Sequence, residues 1–281
     1  MTGGSILLEL LKAVLFGIVE GVTEWLPISS TGHMILLNEF VKLDVTPEFW
    51  DMFLVVIQLG AILAVVMLYW NRIFPFQFHG GSVIRKDVFS MWFKVLAGCL
   101  PAVIVGLPFD DLFRDLFYNY QTVAIALIVF GVAFIVVENR NKSHKPRIRS
   151  IDRLSYPVAF AIGVFQLIAG IFPGTSRSGS TIVGGLLLGV SRTTAAEFTF
   201  FMAIPVMFGA SLLEIVKFVL EGVEISGTEW TTLIVGFVVA FLVSVFVIRF
   251  LMGYIKKHNF KVFGWYRIAL GIVVLAYFMF V

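Results

Sequence analysis

Of the 281 residues, 59% are hydrophobic and only 14% are charged, and the mean hydropathy is +0.96. This balance excludes an ordinary water-soluble domain and points to a chain whose main solvent is lipid. The net charge of +3 is small and unevenly placed, and a single cysteine, Cys99, excludes an intrachain disulfide.

The first apolar stretch, residues 6–26, has no basic leader or small-residue cleavage site and carries Glu20 and Glu24. It does not read as a signal peptide and is expected to stay in the mature chain. On a helix, carboxylates four residues apart project from one face. An acidic side chain at bilayer depth costs about 2.5–3.5 kcal/mol on insertion scales, and like charges at this spacing also repel. A divalent cation, Mg²⁺ or Ca²⁺, shared by the pair and a diphosphate compensates both effects; hydrated carboxylates near the interface are the plainer reading.

Pro27-Ile28-Ser29-Ser30-Thr31-Gly32-His33 then breaks the stretch before another apolar run. Ser29, Ser30 and Thr31 are ordinary helix N-caps, and a lone His33 is more often a hydrogen-bonded structural residue. Together they also suit a hydroxyl nucleophile with its base, provided the turn curls back to bring His33 to Ser30.

Apolar runs follow at residues 53–69, 92–107 and 123–137, each long enough for a membrane span. A linker over 139–155 crowds Arg140, Lys142, Lys145, Arg147, Arg149 and Arg153 together. Beside membrane spans such a cluster marks the inner side and not a nucleic-acid site. The stretch 158–172 is broken in its turn by Pro173-Gly174-Thr175-Ser176-Arg177-Ser178-Gly179-Ser180, and spans at 198–219, 233–250 and 268–281 complete the chain. A snorkelling arginine is the bland reading of Arg177, but no other charge is close by, and a guanidinium among small hydroxyl residues suits bidentate phosphate binding. Gln58, Asp51 and Glu197 are further polar residues within apolar surroundings, with no spacing that assigns them a task.

The two breaks lie in matching segments. Gly17, Glu20, Pro27 and Ser30 correspond at constant offset to Gly163, Gln166, Pro173 and Ser176, and Glu48-Phe49 with Gly60-Ala61 corresponds to Glu197-Phe198 with Gly209-Ala210. The expected fold is an all-α polytopic membrane protein of one domain over 1–281. Its six transmembrane helices and two re-entrant helical hairpins form inverted-topology repeats, 1–138 and 156–281, because an odd number of crossings turns the second half over. Arg72, Arg85, Lys86, the linker cluster, Arg192, Lys256, Lys257, Lys261 and Arg267 then fall inside, and little beyond Lys42 and Arg114 falls outside. Backbone that leaves the helix at membrane depth must be buried in protein or line a wet cavity, so the two breaks are expected to meet and aim helix N-termini at an anion.

The run Glu20-Gly21-Val22-Thr23-Glu24-Trp25-Leu26-Pro27-Ile28-Ser29-Ser30-Thr31-Gly32-His33, with Pro173-Gly174-Thr175-Ser176-Arg177-Ser178-Gly179, resembles the signature pair of the BacA/UppP-type undecaprenyl-diphosphatases, the bacitracin-resistance family. The resemblance covers essentially the whole chain. It implies removal of the terminal phosphate from undecaprenyl diphosphate in a bacterial inner membrane, for reuse of the cell-wall carrier lipid, at a site facing the periplasm. It implies Glu20 and Glu24 as an acidic metal- or proton-handling pair, Ser30 as nucleophile, His33 as the family's histidine and Arg177 as phosphate ligand. Thr31, Ser29, Ser176 and Thr175 fall in the same motifs as supporting phosphate-binding positions. The expected partners are the polyprenyl diphosphate and membrane lipids, without nucleic acid, and a homodimer is compatible with this arrangement. A transporter or flippase is the competing class, because broken helices in inverted repeats also build secondary carriers.

Overall fold

A computed structural model describes residues 3–77 and 83–280. Eleven α-helices make up these residues: α1 (Gly3–Thr23), α2 (Ser30–Phe40), α3 (Pro47–Ile73), α4 (Lys86–Pro101), α5 (Asp110–Phe117), α6 (Tyr120–Asn141), α7 (Tyr156–Ile171), α8 (Arg177–Leu187), α9 (Arg192–Leu220), α10 (Gly227–Ile255) and α11 (Lys261–Phe280). No strand occurs among the described residues, only isolated bridges. Six segments are long and apolar enough to cross a membrane: α3, the run Lys86–Phe117, α6, α9, α10 and α11. They contain the six expected spans, apart from Val281, which lies outside the described residues.

Local chemistry sets where the helices start. Thr46 caps α3 ahead of Pro47, Asn119 caps α6, Ser191 caps α9, and Ser226 with Glu229 forms a reciprocal capping box on α10. The expected span at 92–107 is not a straight helix. α4 stops at Pro101, and the chain passes through a π-turn at Ala102–Gly106 and a 3₁₀ turn at Leu107–Phe109 before α5. Pro101 and Pro108 each remove a backbone donor, which is why the regular ladder fails there.

Helices meet through glycines. A Cβ on Gly17 would lie 2.7 Å from the Gly236 carbonyl oxygen, one on Gly163 2.1 Å from that of Gly98, and one on Gly131 2.7 Å from that of Gly264. α1 thereby packs on α10, α7 on α4 and α6 on α11, by the close backbone approach that membrane helices use in place of a hydrophobic driving force. Each broken helix therefore rests on a span from the other half of the chain.

The basic end of the bundle is tied by ion pairs. Buried Glu138 accepts from Arg192 Nε and Nη2 and from the Phe260 N–H, and Arg72 pairs with Glu197 at 2.6 Å. Arg267, expected among the inner loop charges, instead sits on α11 with 0% exposure.

Candidate active site

The two breaks do meet, and each ends in an unusual cap. Ser29 and Ser176 are the only non-glycine residues with positive φ among the described residues, at 75° and 69°. Each begins a helix: Ser29 Oγ accepts from the Gly32 N–H at 3.3 Å and Ser176 Oγ from the Gly179 N–H at 3.1 Å. A left-handed serine costs about 1–3 kcal/mol and persists only where its surroundings hold it. These caps also revise the constant-offset match. Ser29 is two residues past Pro27, whereas Ser176 is three past Pro173, so Ser29 is the structural counterpart of Ser176 and Ser30 of Arg177.

Ser30 and Arg177 are thus the first residues of α2 and α8, and Glu24 joins them. The Ser30 hydroxyl donates to Glu24 Oε2 at 2.6 Å, while Arg177 Nη2 donates to Glu24 Oε1 at 2.9 Å. Arg177 Nη1 donates to the Thr199 carbonyl at 3.1 Å, which fixes the fork. The Ser178 hydroxyl donates to the Glu24 carbonyl at 3.2 Å. Buried Trp25 packs edge-on against Phe200, 5.3 Å between centroids, and anchors the end of the first broken helix.

These groups border a cavity of about 180 Å³ whose polar side is Glu24, Ser30, Thr31, Gln58, Ser176, Arg177 and Ser178. The first N–H groups of α2 and α8 have no intrahelical acceptor, and they belong to residues on this wall. A cavity with a guanidinium, two helix N-termini and a hydroxyl held by a carboxylate suits a phosphate monoester or anhydride.

A sequence profile described as Bacitracin resistance protein BacA matches residues 13–273. The chain belongs to the BacA family. It is 62% identical over 272 residues to the undecaprenyl-diphosphatase of Desulfitobacterium hafniense, covering 97% of each chain. It is also 62% identical over 274 residues to undecaprenyl-diphosphatase 1 of Clostridium acetobutylicum, covering 98% of this chain and 99% of that one. With an undecaprenyl-diphosphatase of Enterococcus faecalis it shares 56% identity over 270 residues.

This BacA chain does not arrange every expected residue around the cavity. His33 is turned away from Ser30. Its Nδ1 faces the Ser29 carbonyl at 2.7 Å and must therefore carry the proton, and its Nε2 meets the Tyr266 hydroxyl at 2.7 Å with the two rings stacked. The acceptor within reach of Ser30 is Glu24, not His33. Thr175 also departs. Its fully buried hydroxyl has no partner and borders a separate apolar cavity of about 370 Å³ with Phe117, Ile125, Phe130, Ile168 and Phe172. Ser29 and Ser176 are both occupied as caps, and of the two only Ser176, together with Thr31, lines the polar cavity. Glu20, one turn before Glu24, is 1% exposed, and its Oε1 has no hydrogen-bond partner. Of the further polar residues, Gln58 lines the cavity, Asp51 is exposed and Glu197 is paired with Arg72.

Arg267 is the residue that sequence reasoning misplaced. Its Nη2 donates to the carbonyls of Thr175 at 2.7 Å and Gly174 at 2.9 Å, and Nη1 to that of Pro27 at 3.3 Å. One guanidinium thus clamps the backbone of both breaks and sets their relative position. Its position six residues into an otherwise apolar run, flanked by Gly264 and Gly271, was the available signal.

Proposed function

We propose that this chain is a multi-span membrane phosphatase that hydrolyses undecaprenyl diphosphate to undecaprenyl phosphate and inorganic phosphate, returning the carrier lipid to cell-wall synthesis. Relatives 52–62% identical over nearly their full length are undecaprenyl-diphosphatases. The observation that carries the mechanism is the chain of contacts from Ser30 to Glu24 to Arg177. Nothing in the relatives favours the carrier alternative.

In this mechanism the terminal phosphate lies against Arg177 and the N-termini of α2 and α8. Glu24 takes the Ser30 proton as Ser30 Oγ attacks the terminal phosphorus, and the bridging P–O bond breaks to release undecaprenyl phosphate. Glu24 passes that proton to the departing undecaprenyl phosphate and is a carboxylate again. Water then attacks the phosphoserine, Glu24 takes the water proton and returns it to Ser30 Oγ as the serine P–O bond breaks, and inorganic phosphate leaves. Arg177 is placed to stabilise the charge that develops on the equatorial oxygens.

The unpartnered, buried Oε1 of Glu20 fits a bound cation. Glu20 and Glu24 would hold Mg²⁺ or Ca²⁺, with the remaining ligands from water and substrate, since Mg²⁺ commonly uses one or two carboxylates beside phosphate oxygens. Such an ion supplies charge neutralisation to the diphosphate. The same reading places the cavity toward the outer face, both termini outside and the 139–155 linker inside, with residues 1–138 and 156–281 as inverted repeats. A homodimer is a separate proposal, checked by the mass of the detergent-solubilised particle.

The decisive experiment is phosphate release from undecaprenyl diphosphate by purified protein in detergent, where no second compartment exists. Wild type should release phosphate and Ser30→Ala should not, while still binding lipid. A Ser30→Ala variant with near-normal turnover would instead assign the attack to water, and a wild type without release would end the phosphatase reading.

A further inference from the structure

We infer that the gap between the last turn of α7 and the middle of α9 is the lateral portal by which the isoprenoid chain of the substrate leaves the polar cavity for the bilayer. Ala169 and Ala210 set what passes. The inference rests on the phosphatase reading above, because the occupant is identified by covalent connection. The first isoprene unit is joined through one oxygen to the diphosphate, so the tail must begin inside the cavity that holds Ser30 and Arg177. That cavity has one apolar wall, formed by Ala169 of α7 with Val206, Met207 and Ala210 of α9. The rest of its lining is polar side chains and the backbone of the break.

The opening has a structural cause. In the sequence match, Gly60-Ala61 of α3 corresponds to Gly209-Ala210 of α9. The α3 pair is sealed: Ala61 is 0% exposed, and a Cβ on Gly60 would come within 2.4 Å of the Phe237 carbonyl oxygen of α10. The α9 pair is open to the exterior, and a Cβ on Gly209, or on Gly170 beside Ala169, would meet no atom within 4 Å. α10 is continuous over Gly227–Ile255, whereas α4 stops at Pro101. α4 approaches α9 at Gly98 and Met202, and the chain then swings onto α7, bringing Gly106 toward Leu167. The bend leaves one face of α9 exposed at Phe208, Gly209 and Ala210, while Met207 and Ser211 stay buried. Helix-interior glycine is less favourable than alanine by about 1 kcal/mol, and at Gly209, in the middle of α9, no helix contact accounts for it.

The other apolar cavity, between α6 and α7, competes as a tail site but is separated from Ser30 by the break itself. Gly174 and Ser176 face the polar cavity, and Thr175 between them faces the apolar one.

The test compares kcat/KM for undecaprenyl diphosphate and for dimethylallyl diphosphate, whose five-carbon tail ends within the cavity. Ala210→Phe and Ala169→Phe should lower the long-chain value at least ten-fold more than the short-chain value. Equal losses for both substrates overturn the portal while leaving the phosphatase intact, and no release by wild type from either substrate overturns both readings. A second measurement needs no variant. A farnesyl diphosphate carrying a diazirine on its terminal unit, photolysed on wild-type protein, should label α9 beyond Val206 or the end of α7. Labelling confined to residues 117–130 overturns the portal in favour of the α6–α7 cavity.

Discussion

Replacing Glu24 with Gln removes the assigned base while almost preserving shape. The carboxylate has one oxygen on Ser30 at 2.6 Å and the other on Arg177 at 2.9 Å. An amide has one acceptor end and one donor end. With its oxygen kept toward Arg177, the Gln turns its NH₂ toward Ser30, which loses its proton acceptor; flipped, it sets NH₂ against the guanidinium. General-base catalysis contributes about 10²- to 10⁴-fold, or about 2.7–5.5 kcal/mol at about 1.36 kcal/mol per ten-fold. The bond to Arg177 already exists before reaction, so its loss adds mainly to binding and orientation. Initial rates of phosphate release should therefore fall at least about 100-fold, with a melting curve in detergent showing that the variant folds. Because Ser30 acts through Glu24, the double variant Ser30→Ala/Glu24→Gln should be no slower than the slower single. Retention of more than about a tenth of the wild-type rate by Glu24→Gln, or losses that multiply in the double variant, would refute the assigned pair.

Arg177→Ala should weaken lipid binding and lower turnover together, and Arg177→Lys should rescue only part, since a point charge does not replace a bidentate fork; binding and rate measured on both variants decide it. Thorough chelation with EDTA should abolish activity and added Mg²⁺ or Ca²⁺ should restore it, whereas unchanged rates after chelation remove the metal role and leave Glu20 a proton-handling one. Arg267→Met should lower the melting temperature in detergent and reduce turnover. Its two short bonds to the second break are worth about 1.5–3 kcal/mol each, partly offset by relief from burying a cation with no carboxylate beside it. Single cysteines at Ser143 and Ser226 should be labelled from opposite sides of intact cells, and labelling from the same side overturns the inverted arrangement.

The sequence alone determined the membrane class, the six spans, the two broken stretches and most of the chemistry-bearing residues. These follow from local quantities: apolar run length against bilayer thickness, prolines that end helices, and the cost of placing Glu24 or Arg177 in an apolar run. What required the tertiary structure is every relation between distant segments. Glu24 stands six residues from Ser30 and 153 from Arg177, and only packing of α1 and α7 against spans of the opposite halves brings these groups onto one carboxylate. His33, three residues from Ser30, was the nearer candidate for a base in sequence, but the α2 helix turns its ring to Tyr266, 233 residues away. In sequence Arg267 reads as a loop charge, because charge near the start of an apolar run looks the same whether it faces water or a helix break; in the fold it is fully buried. The bend after Pro101 was equally hidden, since hydropathy registers length and not direction. Local physics thus selected the residues, and the close approach of helices at glycines decided which of them touch.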